Sequence, residues 1–275
     1  MSIEVALQSF SSLILPTIYL FIIATFIFTR SYHVYIGKMV ALVLTSTAIA
    51  YLFDYIRLLA PIEYSHFLHV FVILFFMSLS FSLIVHMLYT IIQKTTAIRI
   101  PLLPYALYIY PIAMPLYGLL EQFIIGHLGY YKADGWIYRG GNGIVMFNLY
   151  FTFVMCAINL GVLAIGIKHA KTKQLKQFFK GAFLYTVLCT AGILVWHAGI
   201  KQFHSITPPT PSLPFLLWSG TFYAILITKL GFIPSVVKRH SSLLESSPTP
   251  IVYLNEKWMI TEANLAATRL FHMKK

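Results

Sequence analysis

Long apolar runs, separated by short polar segments, make up most of this chain. Each run contains roughly 20 residues, the length of helix that crosses the hydrocarbon core of a bilayer. The runs are Ala6–Thr29, Met39–Leu58, His66–Ile92, Leu102–Leu120, Ile144–Ile167, Gly181–Ile200 and Phe215–Ile233. The pattern predicts an all-α membrane protein, a bundle of seven transmembrane helices.

The composition indicates that lipid, rather than water, surrounds this bundle. Hydrophobic residues are 59% of the chain and charged residues 10%, against about 45–50% and about 25% in soluble domains. The first run, Ala6–Thr29, is too long for a cleavable signal peptide and has no small-residue cleavage site after it. We therefore expect it to remain in the protein as a transmembrane helix.

The net charge of +12 comes largely from Lys and Arg in the short segments between the runs. This distribution is a topology signal and not the footprint of a nucleic-acid partner, so no nucleic acid is expected to bind. Basic residues are dense after the first, third, fifth and seventh runs, as in Lys168–Lys180, and sparser in the alternate segments. Because Lys/Arg-rich loops stay in the cytoplasm, we expect the N-terminus outside and the C-terminus inside.

Two segments of the predicted bundle are irregular. Pro104, Pro111 and Pro115 crowd the fourth run and predict a kinked helix. Between the fourth and fifth runs, Gly129–Tyr138 places an Asp-Gly turn between aromatic residues, which predicts a β-hairpin. The hairpin is either part of an interfacial aromatic belt or a lid over an outward-facing cavity.

Ionisable and strongly polar residues at membrane depth are costly and are candidates for function. With the predicted orientation, those that lie toward the outer side are Asp54, Arg57, His66, His69, Glu121, Asn148 and His197. Asp54 and Arg57 are three residues apart and share a helix face. The set either converges on an outward-opening ligand site or consists of an interfacial ion pair with histidines among the headgroups. His86, in the other half of the third run, is expected to pack against Ser or Thr.

Metal and catalytic chemistry have weaker support. His66, His69 and His197 suggest a three-nitrogen metal or haem site, but no paired-cysteine or His-x-x-Glu-His spacing accompanies them. Cys156 and Cys189 lie inside apolar runs and indicate neither a disulfide framework nor metal ligands. The sequence has no Walker loop, nucleophile elbow or exposed carboxylate pair. We therefore expect no metal, no cofactor and no enzymatic activity.

After the seventh run the composition changes from apolar to mixed. Pro234 ends or bends that run, and a Ser-rich segment follows. Further on, Ile251, Tyr253 and Met259 alternate as in half-buried strands. Asn264 then begins a helix-like segment and is placed to hydrogen-bond the backbone of the strand hairpin.

This last stretch, residues 243–271, resembles the opening of a PAS domain, in which a β-hairpin precedes an Asn-x-Ala-Ala-x-x-Leu-Phe segment. The matching residues are Asn264, Ala266, Ala267, Leu270 and Phe271. The sequence ends at Lys275, well before a complete PAS domain would end. We therefore expect a truncated domain start.

Seven spans followed by a PAS start resemble the N-terminal sensor region of bacterial histidine kinases and diguanylate cyclases. The resemblance implies a sensory input domain at 1–236, a linker at 237–246 and a truncated PAS start at 247–275. It implies a homodimer in the bacterial plasma membrane that binds a small-molecule or peptide signal. The last helix would relay that signal to a PAS domain and an output enzyme, most simply a two-component kinase.

The alternative function is a small-solute transporter or channel. Transporters often repeat broken spans in matching halves of the chain. The prolines of the fourth run have no counterpart in another run, and transporters rarely carry a PAS start. Both features favour the sensor over the transporter.

Overall fold

The computed structural model describes residues 10–31, 35–96, 98–125, 129–132, 136–139, 142–200, 221–222, 246–254 and 260–271. The chain divides into two compact units, Met1–Leu226 and Ile227–Lys275. The described part of the first unit is almost entirely helical, and the described part of the second contains a small β-hairpin and a short helix.

Eight α-helices are described in the first unit. They are α1 (Leu15–Ser31), α2 (Tyr35–Leu59), α3 (Ile62–Phe67), α4 (Leu74–Thr96), α5 (Leu103–Leu107), α6 (Ile109–Ile125), α7 (Asn142–His169) and α8 (Lys173–Ile200). Six of these eight helices have 17 residues or more, and the other two, α3 and α5, are short. Two π-helical turns interrupt this order. The first, π1 (Phe10–Ile14), precedes α1, and the second, π2 (Leu68–Ile73), connects α3 to α4.

Within the described residues, five helical stretches are long and apolar enough to cross a membrane. They are Phe10–Arg30, Tyr35–Leu59, Leu68–Thr96, Leu103–Leu120 and Tyr150–His169. They coincide with the first five predicted spans, so the prediction of a mostly helical chain with several helices long and apolar enough to span a membrane is confirmed. The sixth predicted span lies within α8, and nearly all of the seventh, Phe215–Ile233, lies outside the described residues.

Helix α4 is a central element of the first unit, since it contacts α2, α6 and α7. Its core side chains are apolar and fully buried, as at Met77 and Leu88. By contrast, α1 exposes large apolar side chains such as Ile22 and Phe26. This outward apolar face is the surface that a helix presents to lipid.

The fourth span is broken at Tyr108, between α5 and α6, as the prolines predicted. Pro111 has no N–H to donate to the carbonyl of Leu107, four residues earlier. Ser82 of α4 supplies the missing donor, because its Oγ lies 2.7 Å from the Leu107 oxygen. A side chain of the neighbouring helix thus satisfies the carbonyl that proline leaves open.

A cluster of three buried hydroxyls joins α2 to α4. Ser46 Oγ lies 2.6 Å from Ser80 Oγ, and Thr47 Oγ1 donates to Ser80 Oγ over 3.1 Å. Ser46 and Thr47 also reach the carbonyl of Val43, and Ser80 that of Phe76. Small polar residues of this kind let membrane helices approach and bond to each other.

The predicted hairpin between the fourth and fifth spans is confirmed. Strands β1 (Gly129–Lys132) and β2 (Trp136–Arg139) pair antiparallel, with Gly129 opposite Arg139 and Lys132 opposite Trp136. Whether this hairpin covers a cavity stays a prediction.

In the second unit, strands β3 (Val252–Leu254) and β4 (Ile260–Ala263) pair antiparallel, and helix α9 (Leu265–Leu270) follows. The pairing carries an irregularity beside Tyr253. The expectation that Tyr253 is half-buried is wrong, because its side chain is 42% exposed. Ile251 is half-buried as expected, and Met259 lies outside the described residues.

Candidate functional site

The strongest polar feature of the first unit is an ion pair near the C-terminal end of α2. Arg57 Nε lies 2.8 Å from Asp54 Oδ1, one helical turn away. Neither residue is at the surface of the described bundle, since Asp54 is 0% and Arg57 6% exposed. Two opposite charges in so apolar a setting stabilise each other, because each would be costly alone.

Both π-helical turns pack against the helix that carries this pair. The turn π1, which precedes α1, contacts α2, and so does π2, which leads into α4. A π-helical turn widens a helix locally and often accompanies a functional site. The helix that carries the ion pair therefore packs against two irregular turns.

Two of the predicted histidines lie in the segment that follows α2. His66 belongs to α3, although its side chain lies outside what the structure describes. His69 is half-buried within π2. Next to them, the Ser65 side chain is fully buried, and its hydroxyl has no hydrogen-bond partner among the described residues. A buried hydroxyl without a partner is uncommon, and it indicates a position where a ligand or a water molecule can bind.

Asn148 bonds to a neighbouring helix. Its Oδ1 accepts a hydrogen bond of 2.8 Å from the Tyr110 hydroxyl, which also lies 3.2 Å from Thr152 Oγ1. Tyr110 is buried between α6 and α7, and its ring stacks on Phe151. Asn148 thus joins α6 to α7, and no described contact brings it to Asp54 or Arg57.

The two remaining predicted site residues are located only by their helices. Glu121 lies in the last turns of α6, and His197 lies near the end of α8. Their side chains are outside the described part of the structure. Whether they approach the ion pair stays a prediction.

Sequence reasoning missed the partner of His86. Its Nδ1 lies 2.8 Å from the hydroxyl of Tyr108, not against Ser or Thr as expected. Tyr108 is the residue at which the fourth span breaks, and its ring lies edge-on to the His86 ring, with 5.8 Å between the ring centroids. No short-range pattern indicates this contact, since it joins residues 22 positions apart.

Among the described side chains, no group of three or more His, Cys, Asp or Glu residues could hold a metal ion. The three-histidine hypothesis also involves His66 and His197, whose side chains are not described, so it stays untested. The described polar groups include one buried ion pair, the half-buried imidazoles of His69 and His86, and several neutral hydroxyl and amide contacts.

The described residues thus form a helical chain with five helices long and apolar enough to span a membrane, and with a buried charge pair near the end of α2. Comparison with protein-family models and with curated proteins finds no match to this chain.

Proposed function

We propose that this chain is the membrane-embedded sensory input module of a bacterial signal-transduction protein, a two-component sensor histidine kinase. A small-molecule or peptide signal binds at the end of the bundle that carries Asp54 and Arg57. The last helix relays the change to a PAS domain and its output enzyme. The orientation that fits this function places the ion pair on the outer side and the PAS start in the cytoplasm.

The observation that carries the proposal is the set of hydrogen bonds around Asn264. Its Nδ2 donates to the carbonyls of Ser247 and Thr249, at 3.2 and 2.8 Å. Its Oδ1 accepts from the backbone N–H of Ile251 and Ala267, at 3.0 and 2.9 Å. One fully buried amide thus joins the segment that precedes the hairpin, the backbone of Ile251 just before β3, and the start of α9.

This arrangement confirms the expected bonding of Asn264 to the hairpin backbone and supports the PAS resemblance. An asparagine that caps a helix is common. Asn264 also bonds to the segment that precedes the hairpin, and this polar segment follows several apolar helices. We expect such an arrangement where a membrane input domain joins an output domain. A transporter has no need of such a junction.

The ion pair supports a signal site in the first unit. A charged pair at membrane depth is costly compared with apolar packing of the same size, so it is expected to serve a purpose beyond stability. The unpartnered hydroxyl of Ser65 and the half-buried His69 add hydrogen-bonding groups nearby in the chain. A signal molecule with polar groups can form hydrogen bonds to these side chains in place of their present partners and so shift the helices.

A chimeric kinase tests the proposal. Residues 1–271 are joined to the catalytic core of a histidine kinase, and autophosphorylation is measured in nanodiscs. We expect the double variant Asp54→Asn, Arg57→Gln to change the basal rate severalfold, because it removes the charges without leaving either one unpaired. The chain without the kinase core is expected to incorporate no phosphate.

The matched control is Ile56→Ala, at the same end of α2 but on the face where Ile56 is 37% exposed. This variant should leave the rate unchanged. An unaltered rate in the double variant as well would remove Asp54 and Arg57 from the signal site.

Topology is tested separately, in a Cys156→Ser, Cys189→Ser background. A membrane-impermeant maleimide on intact cells should label Asp134→Cys, between β1 and β2, and should not label Lys173→Cys, at the start of α8. The reverse labelling would contradict the orientation, because the orientation rests on the distribution of Lys and Arg.

One observation favours the alternative, a transporter or channel. The fourth span is discontinuous at Tyr108, and transporters bind their solutes at broken helices. A flux assay in proteoliposomes distinguishes the two functions. Solute uptake that the Ser82→Ala variant abolishes would support transport, and the kinase chimera would then show no response to the Asp54 and Arg57 changes.

A further inference from the structure

Helices α7 and α8 pack against each other in an antiparallel register that two contacts define. A Cβ atom at Gly166 would lie 2.9 Å from the Phe179 ring. Seven residues toward the start of α7, Asn159 Nδ2 donates to Thr186 Oγ1 over 3.2 Å, and Thr186 is seven residues beyond Phe179. The two helices therefore keep the same register over two full turns.

The same register places the only two cysteines of the chain opposite each other. Cys156 lies three residues before Asn159, and Cys189 lies three residues after Thr186. Three residues advance a helix by about 4.5 Å and nearly one turn, so both cysteines stay on the facing sides. The side chain of Thr190, the residue after Cys189, hydrogen-bonds to the Cys156 thiol.

Both cysteines are reduced in the structure. Cys156 is 8% exposed, and Cys189 is half-buried. Beside Cys189, the Leu188 side chain is 61% exposed. In the described part of the bundle, this side of α8 therefore reaches the surface that contacts lipid.

We propose that Cys156 and Cys189 form a dithiol site that a quinone dissolved in the bilayer oxidises to a disulfide between α7 and α8. Two S–H bonds break and one S–S bond forms. Both electrons and both protons pass to the quinone, which becomes a hydroquinone. Strongly hydrated oxidants do not enter this apolar region, whereas a lipid-soluble quinone does.

A disulfide fits this location better than a bound soft metal ion. Two thiolates around a monovalent cation would leave a net negative charge in an apolar environment, which is costly without a nearby cation. The described basic residues of α7 and α8, such as Lys168 and Lys173, lie toward the end of α7 and the start of α8, at least nine residues from either cysteine. A disulfide is neutral and needs no compensating charge.

Thiol counting tests the proposal directly, because the chain has two cysteines and no others. The full chain in proteoliposomes is treated with decylubiquinone, denatured and labelled with a polyethylene-glycol maleimide. We expect two adducts before oxidation and none after it, with both restored by a reductant. The intact mass should fall by two hydrogen atoms, and a linked peptide should contain Cys156 and Cys189.

A matched control keeps two thiols but moves one of them off the facing side. In the variant Cys189→Ser, Val187→Cys, the second thiol lies at a position where the side chain is 40% exposed. This variant should keep both adducts after treatment. Loss of its adducts, a quinone adduct in the mass spectrum, or a disulfide-linked dimer of two chains would overturn the proposal.

The register itself is checked without the natural cysteines. In a Cys156→Ser, Cys189→Ser background, Asn159→Cys and Thr186→Cys replace the hydrogen-bonded pair and should also form a disulfide. If this pair links while Cys156 and Cys189 keep both adducts with decylubiquinone, the quinone site is refuted and the helix register stands.

Discussion

Helix α2 carries two buried polar centres that differ in charge and in the partners they use. Ser46 and Thr47 bond across to Ser80 of α4, and all three are neutral. Asp54 and Arg57, two turns further along, are charged and bond to each other within the same helix. Both centres are almost completely buried.

The difference indicates separate roles for the two centres. Each hydroxyl of the first centre also contacts a carbonyl of its own helix. A hydroxyl that loses its cross-helix bond therefore still has a hydrogen-bond partner. Separating the charges of the second centre is more costly, because an unpaired ion in an apolar bundle costs far more free energy than an unpaired hydroxyl. The first centre is suited to holding two helices together, and the second to responding to a new partner.

The largest loss of stability is expected when one charge of the Asp54–Arg57 pair is removed. Asp54→Asn leaves Arg57 buried beside a neutral side chain, and breaking a buried pair in this way costs about 3–5 kcal/mol. The free energy of unfolding, measured by SDS titration in mixed micelles, should fall accordingly. Adding Arg57→Gln should restore most of it, because no charge then remains unpaired. A single variant as stable as the parent would show that the pair is not buried as described.

A smaller loss of stability is expected when the Ser82 hydroxyl is removed. Ser82→Ala removes the donor to the Leu107 carbonyl, and a buried acceptor left open costs about 1–3 kcal/mol. Pro111→Ala in the same chain should recover stability, because alanine brings back the N–H that proline lacks. If the double variant is no more stable than Ser82→Ala, the bond from Ser82 does not compensate for the proline.

The smallest effect should come from the neutral centre. Ser80→Ala removes two cross-helix contacts, and hydrogen bonds between membrane helices contribute about 0.6 kcal/mol on average. Ser78→Ala is the matched control, since Ser78 is equally buried on the same helix and bonds to the carbonyls of Leu74 and Phe75. Equal losses for the two variants would contradict a helix-joining role for the hydroxyl cluster.

Several features were predictable because they depend on residues close together in the chain. The Asp54–Arg57 pair needs only a helix and a spacing of three. The β1–β2 hairpin needs strand-forming residues on both sides of a turn signal. Asn264 lies beside the helix it caps, and its bonds reach back no further than Ser247. In each case local geometry, set by backbone periodicity, determines which atoms meet.

The contacts that sequence reasoning missed join distant residues. Asn148 bonds to Tyr110, 38 residues away, a contact that the sequence did not indicate. His86 was expected among hydroxyls of Ser or Thr and instead meets Tyr108 at the helix break. The facing positions of Cys156 and Cys189 follow from the α7–α8 register, which Gly166 and Phe179 reveal only once the helices are packed.

The sequence by itself determined that the chain forms long apolar helices, where most of them begin and end, and which charged residues share a helix turn. Tertiary structure alone decided which helix faces meet. The physical reason is that apolar side chains are nearly interchangeable in lipid, so hydrophobicity does not select a partner helix. That selection depends on close packing and on a few buried hydrogen bonds, such as Ser46 to Ser80 and Asn159 to Thr186, whose two halves lie far apart in the chain.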